Sequence, residues 1–241
     1  MKGQKSHNVQ NEYSIFSLRI THIFFTVLAI MLLLPASYIY AQRTFNLFGT
    51  DVSIGVRAGG TYSHITKSNH SDGKLGWLIG ADLEIPVDKV SEDFFIQPSL
   101  LFLSKGDKCS TSGDVGDGDV ATVETTENAI FMEIPVMAGY RLNIADNFNL
   151  TFNAGPYFAF GLGGKSELGM DATLWGSPIG GGYEINTFDS IKRFDFGIGL
   201  GAGLEILQSW SVNLNYDFGL IPVIDGGGKH RAFMFSVGYK F

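Results

Sequence analysis

The stretch that decides the fold is RAFMFSVGYKF, residues 231–241. Phe233, Phe235, Val237, Tyr239 and Phe241 alternate with Ala232, Met234, Ser236, Gly238 and Lys240. A period of two belongs to a β-strand whose two faces meet different surroundings. One face here is large and apolar, the other mostly small, and the upstream chain repeats that division.

Working outward, the same alternation predicts strands over residues 52–62, 75–87, 94–104, 128–142, 148–160, 193–206 and 210–218. In 193–206 one face is Phe194, Phe196, Ile198, Leu200, Ala202, Leu204 and Ile206, and the other is almost all glycine between Arg193, Asp195 and Glu205. With the terminal strand this makes about eight, each near the nine to eleven residues of a tilted transmembrane strand. The connections alternate, short after the second, fourth and sixth strands and long over 63–74, 105–127, 161–192 and 219–230. That asymmetry predicts an all-β fold, an eight-stranded antiparallel up-and-down transmembrane β-barrel with short periplasmic turns and long extracellular loops. Aromatic residues fall at both strand ends, as interfacial girdles do. A soluble barrel with its apolar face inward is excluded by volume, since an eight-stranded interior could not hold this many Phe, Tyr, Trp and Leu. Pro98, Pro135 and Pro156 each delete a ladder donor, so bulges are expected there.

Charged residues are only 17% and glycines number 31. Large side chains toward lipid and small ones toward a narrow interior would produce that bias. Residues 20–34, ITHIFFTVLAIMLLL, form an apolar run closed by Pro35, which reads as a secretory signal over 1–41 cleaved after Ala41. A short periplasmic segment, 42–51, then leads into one barrel domain, 52–241. Formal charge is −7 for the whole chain and about −9 without residues 1–41, which argues against nucleic acid and anionic lipid surfaces as partners. Cys109 is the only cysteine, so no internal disulfide or CxxC site exists.

Charges on the small-residue face need partners inside a narrow lumen. Arg57, Glu84, Glu133, Arg141, Glu205, Asp217 and Lys240 are expected to form a structural network that fills it, with Glu84, Arg141, Glu205 and Lys240 at one depth near the periplasmic end. The glycine row 197, 199, 201 and 203 leaves room for long side chains from neighbouring strands. The sharper alternatives are a membrane-embedded lipid or peptide hydrolase, or a metal site, where His64 and His230 meet above the closing seam with Asp225 or Asp72, and a small-solute pore. No histidine is expected within a strand, and catalytic groups need rigid placement. DVGDGD, 114–119, misses the spacing of a calcium loop, and GLGGK, 161–165, lacks the strand-to-helix context of a phosphate loop. No cofactor, metal or catalytic residue is expected.

The chain resembles the PorT-like, or outer-membrane protein β-barrel domain, family of small barrels similar in architecture to OmpX and OmpA. GVRAGGTYS (55–63), FIQPSLLFLSKG (95–106), MEIPVMAGY (132–140), FNAGPYFAFG (152–161), FDFGIGLGAGLE (194–205) and SVGYKF (236–241) carry the resemblance by their order and spacing. Ser99 stands where an acidic residue is common in the family, and Ala138 where a basic one is. The resemblance implies a non-enzymatic barrel in a Gram-negative type outer membrane, in contact with its lipid. Phe235, Val237, Tyr239 and Phe241 resemble the signal read by the barrel-assembly machinery. Extracellular ligands or proteins would then meet loops 105–127 and 161–192 of a monomer.

Overall fold

A computed structural model describes residues 44–47, 50–66, 73–116, 119–174 and 177–241, with the backbone alone at 44–45, 47, 114–116, 119–120, 171–174 and 177–179. The expected signal segment, 1–41, and Asp72 lie outside the described residues, as do parts of 114–119. In chain order the strands are β1 (Thr44–Leu47), β2 (Thr50–Ile65), β3 (Lys74–Pro86), β4 (Phe94–Gly116), β5 (Asp119–Ala145), β6 (Phe148–Leu174), β7 (Ser177–Asn186), β8 (Phe194–Ile206), β9 (Trp210–Pro222) and β10 (Lys229–Lys240). All pairings between them are antiparallel, and β2, β3, β4, β5, β6, β8, β9 and β10 close into a ring of eight. The terminal stretch is the closing strand. It runs along β2 from His230 opposite Ile65 to Lys240 opposite Gly55, and the Phe241 amide donates to Ile54 O at 2.8 Å.

The faces divide by size and polarity. Tyr62, Trp77, Phe102, Phe160, Phe194, Phe218 and Phe233 lie exposed on the outer face at the long-loop end, and Tyr140, Phe148 and Phe241 at the other. Trp210, Tyr239 and Phe241 stack edge to face at that lower end, with centroids 4.9 and 5.2 Å apart, a geometry aromatic pairs favour.

Three expectations need correction. Residues 105–127 and 161–192 are not loops over most of their length. β4 and β5 stay paired from Lys105 opposite Ala129 out to Gly116 opposite Asp119, β6 continues along β5 to Ala172 opposite Ala121, and β7 folds back on β6. A four-stranded blade therefore rises beyond the ring. Its sequence is rich in β-branched residues, as in VATVETTE (120–127), which suit strands. Secondly, the three prolines cause no bulge. The ladder passes each in constant register and skips two positions, as between Pro135 opposite Tyr157 and Ala138 opposite Ala154; a missing N–H removes a bond without adding a residue. Shifts occur instead at Ile130/Phe131 and Asn143/Ala145. Thirdly, 42–51 holds the short strand β1, which takes the edge of β2 below the end of β10.

The turn from β8 to β9 places Leu207 and Gln208 at φ 53° and 62°. Positive φ at both central residues is what a tight hairpin turn demands, and side chains other than Gly or Asn strain there.

Candidate functional site

The candidate site is the lumen and the blade above it. At the short-turn end Arg141, from β5, reaches Glu205 of β8 (Nε to Oε2, 2.7 Å) and Glu84 of β3 (2.8 Å). Lys240 of β10 reaches the same two carboxylates at 2.9 and 3.0 Å. Two cations and two anions from four strands thus form a closed, charge-neutral ring across the barrel, at the single depth their spacing implied.

One layer up, Arg57 of β2 pairs with Asp82 of β3 (Nε to Oδ1, 2.8 Å) and donates to Ser99 at 2.9 Å. Between these two layers lies a polar hollow of about 40 Å³, and above Arg57 one of about 10 Å³. A single water needs roughly 10–15 Å³ measured this way, so the first holds a few waters and the second barely one. Apolar side chains fill much of the rest. Leu78, Leu101, Leu103 and Met234 form one buried cluster, so the interior is less exclusively small and polar than the alternation suggested. The glycine row makes that possible: a Cβ at Gly197 would come 2.6 Å from the Tyr157 ring, and one at Gly199 2.5 Å from Met137.

The third layer centres on Lys105, fully buried, whose Nζ lies 2.6 Å from Glu133 Oε2 and 3.2 Å from Asp217 Oδ2. Glu133 and Asp217 were expected in the network; Lys105 was not, because it fell in a segment taken for loop. Tyr157 and Asp195 join it, the phenol donating to Asp195 Oδ2 at 3.0 Å. Above them the lumen is capped. Asn186 accepts from the Phe188 amide at 3.0 Å and starts a 3-10 turn, Thr187–Asp189, which packs Phe188 edge-on against Phe131 at 5.6 Å. Ala129, Tyr157 and Ala159 complete this apolar cluster, and the Arg193 guanidinium covers the Phe188 ring at 4.8 Å.

The histidines do not make a rim site. His64 lies in β2 and His230 in β10, against the expectation that no histidine sits in a strand. Their register, Arg231 opposite His64 and His230 opposite Ile65, places them on opposite faces of the sheet. His230 is buried against Phe131, centroids 5.5 Å apart, while Asp225 is engaged by Lys192 at 2.6 Å. Among the described residues no three His, Cys, Asp or Glu side chains converge on a metal position.

On the blade, cross-strand register separates a charged face, with Lys108, Glu124, Glu167 and Glu184, from one that exposes Leu168, Met170 and Tyr183. Glu124, Glu167 and Glu184 border a hollow of about 360 Å³ floored by Gly169 and Gly182. At the blade's base Glu127 is half-buried beside Asp107, with Oε1 sealed from water; that desolvation, reinforced by Asp107 and opposed by Lys74, pushes its carboxyl up to about 7. Cys109 is half-buried on β4. Of the terminal residues, Phe235, Val237 and Tyr239 face outward half-buried and Phe241 is exposed.

A family model described as outer membrane protein beta-barrel domain matches residues 40–225. The chain belongs to that family. As a member of the outer-membrane β-barrel family it resides in an outer membrane. Among solved structures, Ail of Yersinia pestis, crystallised with the heparin analogue sucrose octasulfate, is 11% identical over 79% of this chain and 97% of its own, with a TM-score of 0.34. Neisserial surface protein A is 9% identical over 78% and 95%, TM-score 0.43. The N-terminal barrel domain of Pseudomonas aeruginosa OprF is 13% identical over 83% and 100%, TM-score 0.33. These figures are too low to carry over a ligand or an activity. No curated protein matches the chain.

Proposed function

We propose that this member of the outer-membrane β-barrel family is a non-enzymatic, non-conducting barrel that works through its extracellular blade. The observation that carries the reading is where the open volume lies. Within the ring the hollows are about 40 and 10 Å³, whereas about 360 Å³ opens on the blade. Three layers of charged side chains and the Phe188 cap fill the path a solute would take. The apolar Leu168, Met170 and Tyr183 and the acidic Glu124, Glu167 and Glu184 give the blade two chemically different faces for external ligands or proteins. The PorT-like branch is part of the same proposal, supported by the order of the strand motifs between residues 55 and 241, as are the cleaved signal 1–41, contact with the assembly machinery through the terminal strand, and a monomeric state.

The test is a planar-bilayer recording of the refolded mature chain at neutral pH, with heat-modifiable migration on a gel as the control for folding. The expected result is a folded barrel with no stable conductance. Large, steady channels from the heat-modifiable species would overturn the reading.

A further inference from the structure

Around Lys105 the charges do not balance. Its ammonium faces Glu133 at 2.6 Å, Asp217 at 3.2 Å and Asp195 at 3.9 Å, so one cation meets three carboxylates, all buried. The other groups turned toward them bring no compensating charge. Tyr157 donates its hydroxyl to Asp195 and lays its ring 4.6 Å from the ammonium. His230, from β10, has no partner on either ring nitrogen. Arg57, from β2, borders the same small hollow as Glu133 and Asp217 but is held by Asp82. From β3 comes Leu78, packed with Leu101, Leu103 and Met234. Glu133 Oε1 and Asp195 Oδ1 are buried with no donor. An ionised carboxylate sealed from water without partners is costly enough that the group neutralises instead. A metal ion is disfavoured, since no three acidic or imidazole groups among the described residues converge on one position and the ammonium already sits between these carboxylates. Protons remain.

We propose that Glu133, Asp195 and Asp217 around Lys105 form a proton-binding site that holds at least one shared proton at neutral pH, and that this proton keeps the extracellular end of the lumen shut. The site borders the apolar cap directly, for the Lys105 ammonium lies 5.8 Å from the centre of the Phe131 ring, and Phe131 packs on Phe188. Losing the proton adds a negative charge that Ala129, Phe131 and Phe188 cannot solvate. Water must then enter past Phe188, and the cap opens. The three carboxyls crowd one ammonium, so the proton belongs to the cluster and not to any one of them. This regulation rests on the filled-lumen reading above.

The experiment uses the mature chain carrying Glu127→Gln, which removes a half-buried carboxyl at the blade's base whose proton would add to the signal near neutral pH. Infrared difference spectra should show the carbonyl stretch of a protonated carboxyl at neutral pH, shifted in heavy water and lost at alkaline pH. The band should be absent when Glu133→Gln, Asp195→Asn and Asp217→Asn are added together; if that protein does not fold, Asp217→Asn alone should diminish or shift it. With Ala129→Cys added beneath the cap in a Cys109→Ser background, an impermeant thiol reagent supplied from outside should leave the parent unlabelled at neutral pH and label it at alkaline pH, while the amide variant stays protected throughout. Absence of the band at neutral pH overturns the proton site, and protection of the introduced thiol at alkaline pH despite loss of the band overturns its control of the cap. Conductance already present at neutral pH would instead overturn the filled lumen.

Discussion

Arg141 shows how much one side chain holds in a narrow lumen. It links Glu205 and Glu84 and is itself only partly exposed. Replacing it with Met leaves two carboxylates to share Lys240, and stranding a buried charge costs about 3 kcal/mol or more. The urea midpoint of the folded barrel in micelles should fall accordingly, and adding Glu205→Gln should restore part of the loss. Glu127 predicts a pH effect of definite sign. Its folded value is raised from 4.5 to about 7, so the folded state holds the proton more tightly than the unfolded chain. Its contribution to stability is therefore highest below about pH 4.5, declines as pH rises toward 7, and levels off above. Glu127→Gln should make the decline between about pH 4.5 and 7 shallower when unfolding midpoints are compared across the range. The network was only partly legible in sequence for reasons visible at single residues. Arg141, Glu84, Glu205 and Lys240 were readable because strict alternation places them inward near strand ends of known register. Lys105 was not, since KGDKCSTSG (105–113) is polar and glycine-bearing and looks like a loop. The signal that would have found it is that Leu101, Leu103 and Lys105 keep the period of two.

At the scale of elements, the turn between β8 and β9 carries two residues in a region that suits neither. Replacing Leu207 and Gln208 by Asn and Gly, the pair this turn geometry prefers, should raise stability by about 1 kcal/mol or more, read from the same urea titration. The eight ring strands were legible because each buries one face and shows the other to lipid. The blade was not, because beyond the ring both faces of β4, β5, β6 and β7 meet water and the hydrophobic alternation fades. What persists there is β-branched composition in 120–127, and Gly180, Gly181 and Gly182 hide even that in β7. A proline removes a hydrogen bond without inserting a residue, and the constant register past Pro156 shows that the two are separable.

For the whole molecule, the terminal strand is where the proposed assembly role can be tested. Phe241 is exposed beside Tyr239 at the lower girdle, and its amide bonds to Ile54. Deleting it should reduce the heat-modifiable, membrane-inserted fraction in cells while leaving the inner charge layers of the molecules that do insert unchanged; insertion at the full level would contradict this. The seam it belongs to also governs the order of events in folding. The pairing of β10 with β2 joins Ile65 to His230 and Gly55 to Lys240, the widest separations along the chain among the ring contacts. Hairpins between consecutive strands can form early at little entropic cost, whereas this last ladder closes a loop of most of the polypeptide. Until it does, β2 and β10 are both open edges, able to pair with any passing strand. The interval before the ring shuts is thus the stage at which the chain most needs a chaperone's escort.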